Sequence, residues 1–569
     1  MGMIDGGRLV AKALKKEGVE QIFTLSGGHI TSIYYGCRAE GIEIIDVRHE
    51  CNEVYAADAF AQVTGKAGVV VSTAGPGVTN TVTGMMEAFT KGIPIIHIGG
   101  ASFFREDEKG GLQEFDTLGV MSQVSKWARK LVKTERIPEY ISMAFREAHN
   151  NTPGPVYLEI PADILAQSVE EDTVIYPTYY RTDAQAFGDP ALVEQAAELL
   201  MHAERPALVV GTGARFTPQH REAIKELVNY LKIPAFAIDT ARGLFDSEEN
   251  ILWKLGGAAL GKADVVLLLD VNSNFRLAYG AALNPDATVI QVHPEKSKIG
   301  FNIPAHIGIV GSATGVAKQL IERIKSTRLA REDHLWLAEI QAMIEPHAHY
   351  IQQQLNRNDM PLHPARVASE VSKFLSSEGA DWNVVIDGGD SGEWISQVSV
   401  AKRPGQVFRT GPMGIIGTGP GFTLGAWIGN RKPVLYFTGD GSFGYYPMEF
   451  DTFERFGIPV VCIVANDSAW GMVQLSDADV FPEETSKNGF VGTDLSPLRR
   501  YDKMAEAWGG HGELVKNTED IVPAIQRAIE NGKPSIINIE IGMYNMHAST
   551  KAYADSFSKY LTTELSLKD

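Results

Sequence analysis

The chain has 569 residues, 44% of them hydrophobic and 21% charged, with a net charge of −18. That length predicts roughly three or four domains of about 150 residues each. The charge argues against a nucleic-acid partner, which would need a basic surface, while leaving room for a local basic pocket for an anionic substrate.

In chain order the pattern predicts three α/β blocks. The first, residues 1–170, carries strand-like apolar runs at 19–25, 42–47, 69–72, 94–98 and 156–160. Residues 171–189 hold acids, Pro177 and the cluster Tyr179-Tyr180-Arg181 without sustained periodicity, and read as a linker. The second block, 190–327, alternates strands at 207–210, 234–237, 265–269 and 289–292 with a helix at 220–231. A charged, helix-favouring linker over 328–360 leads to the third block, 361–543, with strands at 384–387, 434–437, 458–464 and 535–539. Residues 544–569 form a tail that interleaves Tyr544, Tyr553, Phe557 and Tyr560 with Lys551 and Lys559. Such a tail suits a lid over a bulky anionic substrate, and equally a terminal helix that docks at a subunit interface or frays. Strands alternating with helices predict an α/β fold of three doubly wound parallel sheets, covered on both faces. The three cysteines, Cys37, Cys51 and Cys462, have no metal or disulfide spacing, so a reducing cytoplasm is expected. The N-terminus lacks a signal-like apolar stretch, no run approaches the ~18 residues of a membrane helix, and no membrane partner is expected.

Two stretches carry chemistry. In the third block an apolar run leads into Gly439-Asp440-Gly441-Ser442, and the next one leads into Asn466-Asp467. Parallel strands of a βαβ unit point the same way, so Asp440 and Asp467 are expected at one sheet edge, where such sheets bind ligands. Glycines at 439, 441 and 444 let backbone amides approach phosphate oxygens, and hard carboxylate oxygens suit Mg²⁺. Alone, Gly-Asp-Gly is also an ordinary turn. In the first block Glu50 follows a strand-like run and precedes a helical pattern, and Thr73-Ala74-Gly75-Pro76-Gly77-Val78-Thr79-Asn80 follows the next strand. Alone, Glu50 reads as a solvated acid at a helix N-terminus.

Taken together, Gly439–Ser442, the intervening strand and Asn466-Asp467-Ser468-Ala469-Trp470-Gly471-Met472 resemble the thiamine diphosphate motif of the decarboxylase and acetohydroxyacid synthase superfamily, which usually has two asparagines where this chain has Asn466-Asp467. The stretch Arg48-His49-Glu50 with 73–80 is similar to the pyrimidine-binding half of the same family. The resemblance implies that the three blocks are pyrimidine-binding, central and diphosphate-binding domains. It implies Mg²⁺ held by Asp440, Asp467 and the Ala469 carbonyl. Gly439, Gly441, Ser442 and Met472 would line the diphosphate side, and Glu50, Pro76 and Asn80 the pyrimidine side, with Glu50 promoting the imino tautomer of the ring. Met413, in Gly411-Pro412-Met413-Gly414, would be the apolar wedge that bends the cofactor.

Within the superfamily the chain resembles benzaldehyde lyase and bacterial-type 2-hydroxyacyl-CoA lyases, on Met3–Gly7, Leu25–Ile30, Arg48–Glu50, Leu112-Gln113 and Lys126–Ala128. His29 and Gln113 would then stand beside the reacting carbon, an imidazole suiting proton relay because it titrates near neutrality. Pro161-Ala162-Asp163-Ile164-Leu165 departs from benzaldehyde lyase, which has Trp where this chain has Ala162, and follows the acyl-CoA lyases. The implied reaction is cleavage of a 2-hydroxyacyl-CoA to an aldehyde or ketone plus formyl-CoA, reversible as an acyloin condensation. The alternative is a benzaldehyde lyase-like or acetolactate synthase-like enzyme acting on free acyloins or 2-oxo acids. In this family the two cofactor halves come from different subunits, so a homodimer or homotetramer is expected. Gly211-Thr212-Gly213-Ala214-Arg215 is a weak nucleotide signal, and the central block is open to ADP, to a flavin or to no ligand.

Overall fold

The computed structural model describes residues 2–214, 221–245, 256–327, 330, 335–552 and 554–555. In the first block, strands β1 (Met3–Asp5), β2 (Gln21–Thr24), β3 (Glu43–Asp46), β4 (Gly68–Ser72), β5 (Ile95–Ala101), β6 (Trp127–Lys130), β7 (Val156–Pro161) and β8 (Ser168–Glu170) alternate with helices. Six of them form a wholly parallel sheet in the order β3-β2-β4-β5-β7-β6, while β1 and β8 pair antiparallel, Met3 opposite Glu170. The central block contributes β9 (Pro206–Val210), β10 (Ala235–Ala237), β11 (Val265–Leu269), β12 (Thr288–His293) and β13 (Ile307–Val310), parallel in the order β10-β9-β11-β12-β13. The third holds β14 (Asn383–Asp387), β15 (Val407–Arg409), β16 (Val434–Gly439), β17 (Val460–Asn466), β18 (His511–Val515) and β19 (Ser535–Glu540), in the order β15-β14-β16-β17-β19-β18.

The inner strands are buried at nearly every position, and at all of them in Gly68–Ser72, Val265–Leu269 and Val156–Pro161, because helices cover both sheet faces. A continuous apolar run is what that environment demands, and it is why these strands are visible in the sequence.

The strand orders matter for function. In each sheet the first strand sends its connection to one side, and the strand paired on its other side sends its own connection the opposite way. That reversal opens a crevice at the carboxyl ends of β2 and β4, of β9 and β11, and of β14 and β16. Ligands of open α/β sheets bind at such switch points.

By contacts the chain divides into two units. The first holds Met1–Pro346 with Ala401–Gly405 and Gly411–Met413, and so contains the first two sheets; the second holds the remainder and the third sheet. Among the described residues no helix is long and apolar enough to cross a membrane. All three cysteines are buried, and none is in a disulfide.

Candidate active site

The first cluster is built where β2, β3 and β4 end. Glu50 opens the helix Glu50–Thr64 just after β3, and His49 caps that helix, its Nδ1 accepting the Cys51 N–H at 3.1 Å. Glu50 is only 8% exposed, and its Oε2 accepts a hydrogen bond from Asn80 Nδ2 at 2.9 Å. Asn80 ends the short helix Pro76–Thr79, which follows β4. A Cβ placed on Gly77 would meet Thr73 Cγ2 at 2.7 Å and Glu50 Oε1 at 3.7 Å, so this turn passes close beside the acid because it has no side chain there.

His29 sits in the turn Gly28–Ile30 after β2, its Nδ1 3.3 Å from Thr73 Oγ1. Burial lowers its pKa, against an opposing contribution from the Leu112 backbone, which favours the neutral ring that can both accept and donate a proton. Gly75 adopts φ +58°, and a Cβ there would come within 2.6 Å of the Gln113 carbonyl oxygen. Gln113 itself holds φ +59°, a left-handed conformation that costs a non-glycine residue about 1–3 kcal/mol and gathers at functional sites. His29, Glu50, Pro76, Asn80 and Gln113 therefore share one edge of the first sheet.

The second cluster lies where β14, β16 and β17 end. β16 and β17 pair in register through Gly439 opposite Ala465, and Asp440 and Asp467 follow directly. Asp440 Oδ1 accepts from the Gly441 N–H at 3.0 Å and Asp467 Oδ1 from the Ala469 N–H at 3.2 Å. Asn466 points the other way: its Nδ2 donates to the Arg499 carbonyl and to Asn538 Oδ1, both at 3.1 Å. The pair thus divides its work, Asn466 anchoring the strand end and Asp467 turning toward Asp440.

Burial pushes both carboxyls well above the usual range, and for Asp440 the charge of Asp467 adds to it. Segment 468–470 is fixed from outside, with Trp470 N–H donating to the Thr493 carbonyl at 2.8 Å and Leu498 N–H to Ser468 Oγ at 2.8 Å.

The loop after β14 completes this cluster, and the sequence reading passed over it. Gly388 holds φ +89° with its open face against Ser442 Oγ, and a Cβ on Gly389 would lie 3.1 Å from Met472 Cβ. Gly439 has Ser391 Oγ as its nearest neighbour, 3.8 Å from an ideal Cβ. Gly388-Gly389-Asp390-Ser391, glycines between an apolar strand and the helix Asp390–Val398, was the available signal. Among the described residues no three His, Cys, Asp or Glu side chains gather as a metal cluster; the candidate set is two carboxylates and a backbone carbonyl. Met413 is 42% exposed and belongs to the stretch Gly411–Met413 of the first unit.

Against known proteins, the chain matches the thiamine pyrophosphate enzyme N-terminal TPP binding domain over residues 4–120, the central domain over 193–320 and the C-terminal TPP binding domain over 387–539. It is 33% identical over 543 residues to the acetolactate synthase large subunit of Mycobacterium tuberculosis, covering 94% of this chain and 95% of that one. The chain belongs to the thiamine pyrophosphate enzymes. Other relatives are 2-hydroxyacyl-CoA lyase 2 of Homo sapiens, 30% identical over 588 residues (94% and 90% covered), and oxalyl-CoA decarboxylase of Escherichia coli, 27% over 546 residues (95% of each).

For a thiamine pyrophosphate enzyme the second cluster has the right chemistry. Asp440 Oδ2 is buried and meets no hydrogen-bond donor among the described residues, which is costly for a carboxylate unless a cation or proton compensates. A divalent ion beside Asp440 and Asp467 would relieve both the burial and their mutual repulsion. The glycines at 388, 389 and 441 let the loops at these strand ends pack closely on Ser442, Met472 and Trp470, a Cβ on Gly441 lying 2.7 Å from the Trp470 ring.

In the central block, Gly213 follows β9 and the buried Asp270 follows β11, where His293 Nε2 approaches Asp270 Oδ1 at 3.1 Å. Gly213, Asp270 and Ser312 line a cavity of about 940 Å³ that reaches Gln21, Lys66 and Arg181 within the same unit. Arg215 of the expected nucleotide turn lies outside the described residues, as do Tyr553, Phe557, Lys559 and Tyr560 of the expected lid. The described part of the tail packs on the second unit: Tyr544 stacks on His363 at 4.8 Å, and the His547 N–H donates to Asp390 Oδ1 at 2.8 Å.

Proposed function

We propose that this chain is a thiamine diphosphate- and Mg²⁺-dependent carbon-carbon lyase that cleaves a 2-hydroxyacyl-CoA to an aldehyde or ketone plus formyl-CoA, and that runs in reverse as an acyloin condensation. Asp440, Asp467 and the Ala469 carbonyl would hold the metal, the glycine loops the diphosphate, and Glu50 with Asn80 the pyrimidine. When bound, the cofactor supplies the electron sink that lets the bond beside a carbonyl break.

The observation that carries the lyase reading is the convergence of a neutral-leaning His29 and a strained Gln113 on the edge that bears Glu50. Cleavage of R₂C(OH)–CO–S-CoA must take the proton from the hydroxyl as C2 becomes a carbonyl, and must deliver one to the thioester carbonyl carbon. On this reading His29 would take and return that proton, Gln113 would orient the substrate oxygen, and Glu50 would hold or give a proton at the cofactor ring. Ala162 stands just past β7 and beside Asp163, whose Oδ1 accepts the Phe104 N–H at 2.9 Å, at the position where benzaldehyde lyase carries Trp. That smaller side chain, and the acyl-CoA named in two relatives, favour a thioester over a small acyloin.

The acetolactate synthase relative supports a second reading, carboligation or cleavage of free 2-oxo acids or acyloins by the same residues. We place the working enzyme as a homodimer or homotetramer, with each active site drawing its two halves from different subunits, and we read the cavity at Gly213 and Asp270 as the place an ADP would occupy. The deciding experiment incubates the enzyme, thiamine diphosphate and Mg²⁺ with 2-hydroxyacyl-CoA esters, benzoin and pyruvate, and identifies products by mass. Formyl-CoA formed from the thioesters supports the first reading; products from pyruvate or benzoin alone support the second.

A further inference from the structure

Away from the reacting edge, the first unit buries three ionisable groups together. Lys91 Nζ lies 2.9 Å from Asp58 Oδ2 and 3.7 Å from Glu87 Oε1, and all three side chains are at most 2% exposed. Asp58 Oδ1 also accepts from Gln62 Nε2 at 2.5 Å. Glu87 and Lys91 stand one turn apart on the helix Val82–Lys91, while Asp58 comes from Glu50–Thr64, the helix that Glu50 begins.

A buried ion group of this kind is a poor source of stability, since well-packed apolar residues commonly do as well. Its presence is better explained by what it holds. Glu87 Oε1 accepts the backbone N–H of Gly411. The approach is so close that a Cβ on Gly411 would lie 2.5 Å from Lys91 Cγ and 3.0 Å from Glu87 Oε1. Burial pushes the Glu87 carboxyl upward, and Lys91, the Gly411 N–H and Arg276 act to keep it ionised. Two residues after Gly411 comes Met413. Further along the same segment, within the second unit, another buried carboxylate does similar work: Asp387 accepts the N–H groups of Gly417 and Gly419 at 3.1 and 2.9 Å.

We infer that Glu87, held in place by Lys91 and Asp58, is a positioning residue: it fixes the Gly411–Met413 segment and so sets where Met413 stands against the cofactor. Because Asp58 and Glu50 share one helix, the same rigid element that presents the proton-transferring acid also registers the segment that carries Met413. The inference rests on the reading that Met413 touches the cofactor.

Three variants of the full-length protein test it: Glu87→Gln, Gly411→Ala and Met413→Ala. Gly411→Ala leaves every charge in place, so it still decides the matter if loss of Glu87 impairs folding. Amide hydrogen exchange, read by mass spectrometry in cofactor-free protein, should be about tenfold faster in peptides covering 411–414 for Glu87→Gln and Gly411→Ala, as expected for loss of a hydrogen bond to a charged acceptor. Loaded with thiamine diphosphate and Mg²⁺, the same variants should show an altered near-ultraviolet dichroism of the bound cofactor and about tenfold lower kcat, with cofactor affinity changed much less, since the diphosphate is gripped elsewhere. Unchanged exchange at 411–414 in both variants would overturn the inference alone. Met413→Ala with unchanged dichroism and kcat would overturn the reading of Met413, and the inference with it.

Discussion

Asp440 and Asp467 leave two hydrogen-bonded parallel strands at neighbouring points, each with one oxygen held by a backbone N–H, and Asp440 Oδ2 reached by no donor among the described residues. Two like charges buried side by side call for a cation between them. Asp467→Asn keeps an oxygen donor and removes one charge, so it should retain metal-dependent cofactor binding within about tenfold, whereas Asp467→Ala, which loses the ligand, should weaken it at least about 100-fold. Isothermal titration with thiamine diphosphate at fixed Mg²⁺ checks the ranking; equal affinities for the Asn and Ala variants would count against Asp467 as a ligand.

Glu50 and Asn80 make the corresponding prediction for the first unit. Glu50→Gln should lower kcat by about 10²–10⁴-fold, the usual worth of a placed acid or base, while cofactor uptake persists. Asn80→Ala removes the 2.9 Å bond to Glu50 Oε2 and should cost about tenfold, the scale of one hydrogen bond to a charged group. Steady-state rates alongside cofactor titration separate the two effects. Full turnover in Glu50→Gln would remove the acid from the mechanism.

Asp387 should make the fold acid-favoured over a definite window. Burial pushes its pKa from 3.8 up to about 6 against the N–H donors of Gly419 and Gly417. A carboxyl whose folded pKa is raised contributes stability that is fully present below the unfolded value and lost as pH climbs through the folded one. The loss from pH 4 to above 6 amounts to about 3 kcal/mol at most. The urea midpoint of wild type should therefore fall relative to that of Asp387→Asn over this range; a relative rise would contradict the assignment.

The tail depends on Asp390. Its carboxylate accepts from His547 N–H at 2.8 Å and Trp394 Nε1 at 3.0 Å, and His547 is buried against the Trp394 ring at 4.7 Å. Asp390→Ala orphans both donors, at about 1–3 kcal/mol each, and should speed tryptic cleavage at Lys551, which pairs with Asp479 at 2.8 Å, without loosening the sheet. Unchanged cleavage would mean that other contacts hold the tail.

The sequence showed the inner strands and the edge strands β3 and β10, and missed the edge strands β6, β13, β15 and β18 for a physical reason: each of the four is at most five residues long and partly exposed, so its apolar pattern is short or broken. Asp440 and Asp467 were legible because they follow the inner strands β16 and β17, and Glu50 because the edge strand β3 before it is still an apolar run; topology sends each to the carboxyl edge of its own sheet. The Gly388–Ser391 loop also follows an inner strand, but its work is done by backbone and glycine, which leave little trace in residue chemistry. Thr73, which links His29 to the turn beside Glu50, and Glu87, far in sequence from Gly411, act through contacts that no local pattern encodes.

We propose that one cofactor is gripped through a cation at Asp440 and Asp467 and met by Glu50. Fluorescence titration of the purified protein with thiamine diphosphate, with and without Mg²⁺ and in Asp440→Ala, separates the outcomes. Saturable uptake should require the divalent ion and be abolished in the variant. Absence of saturable uptake, or uptake indifferent to both Mg²⁺ and Asp440, would count against the proposal.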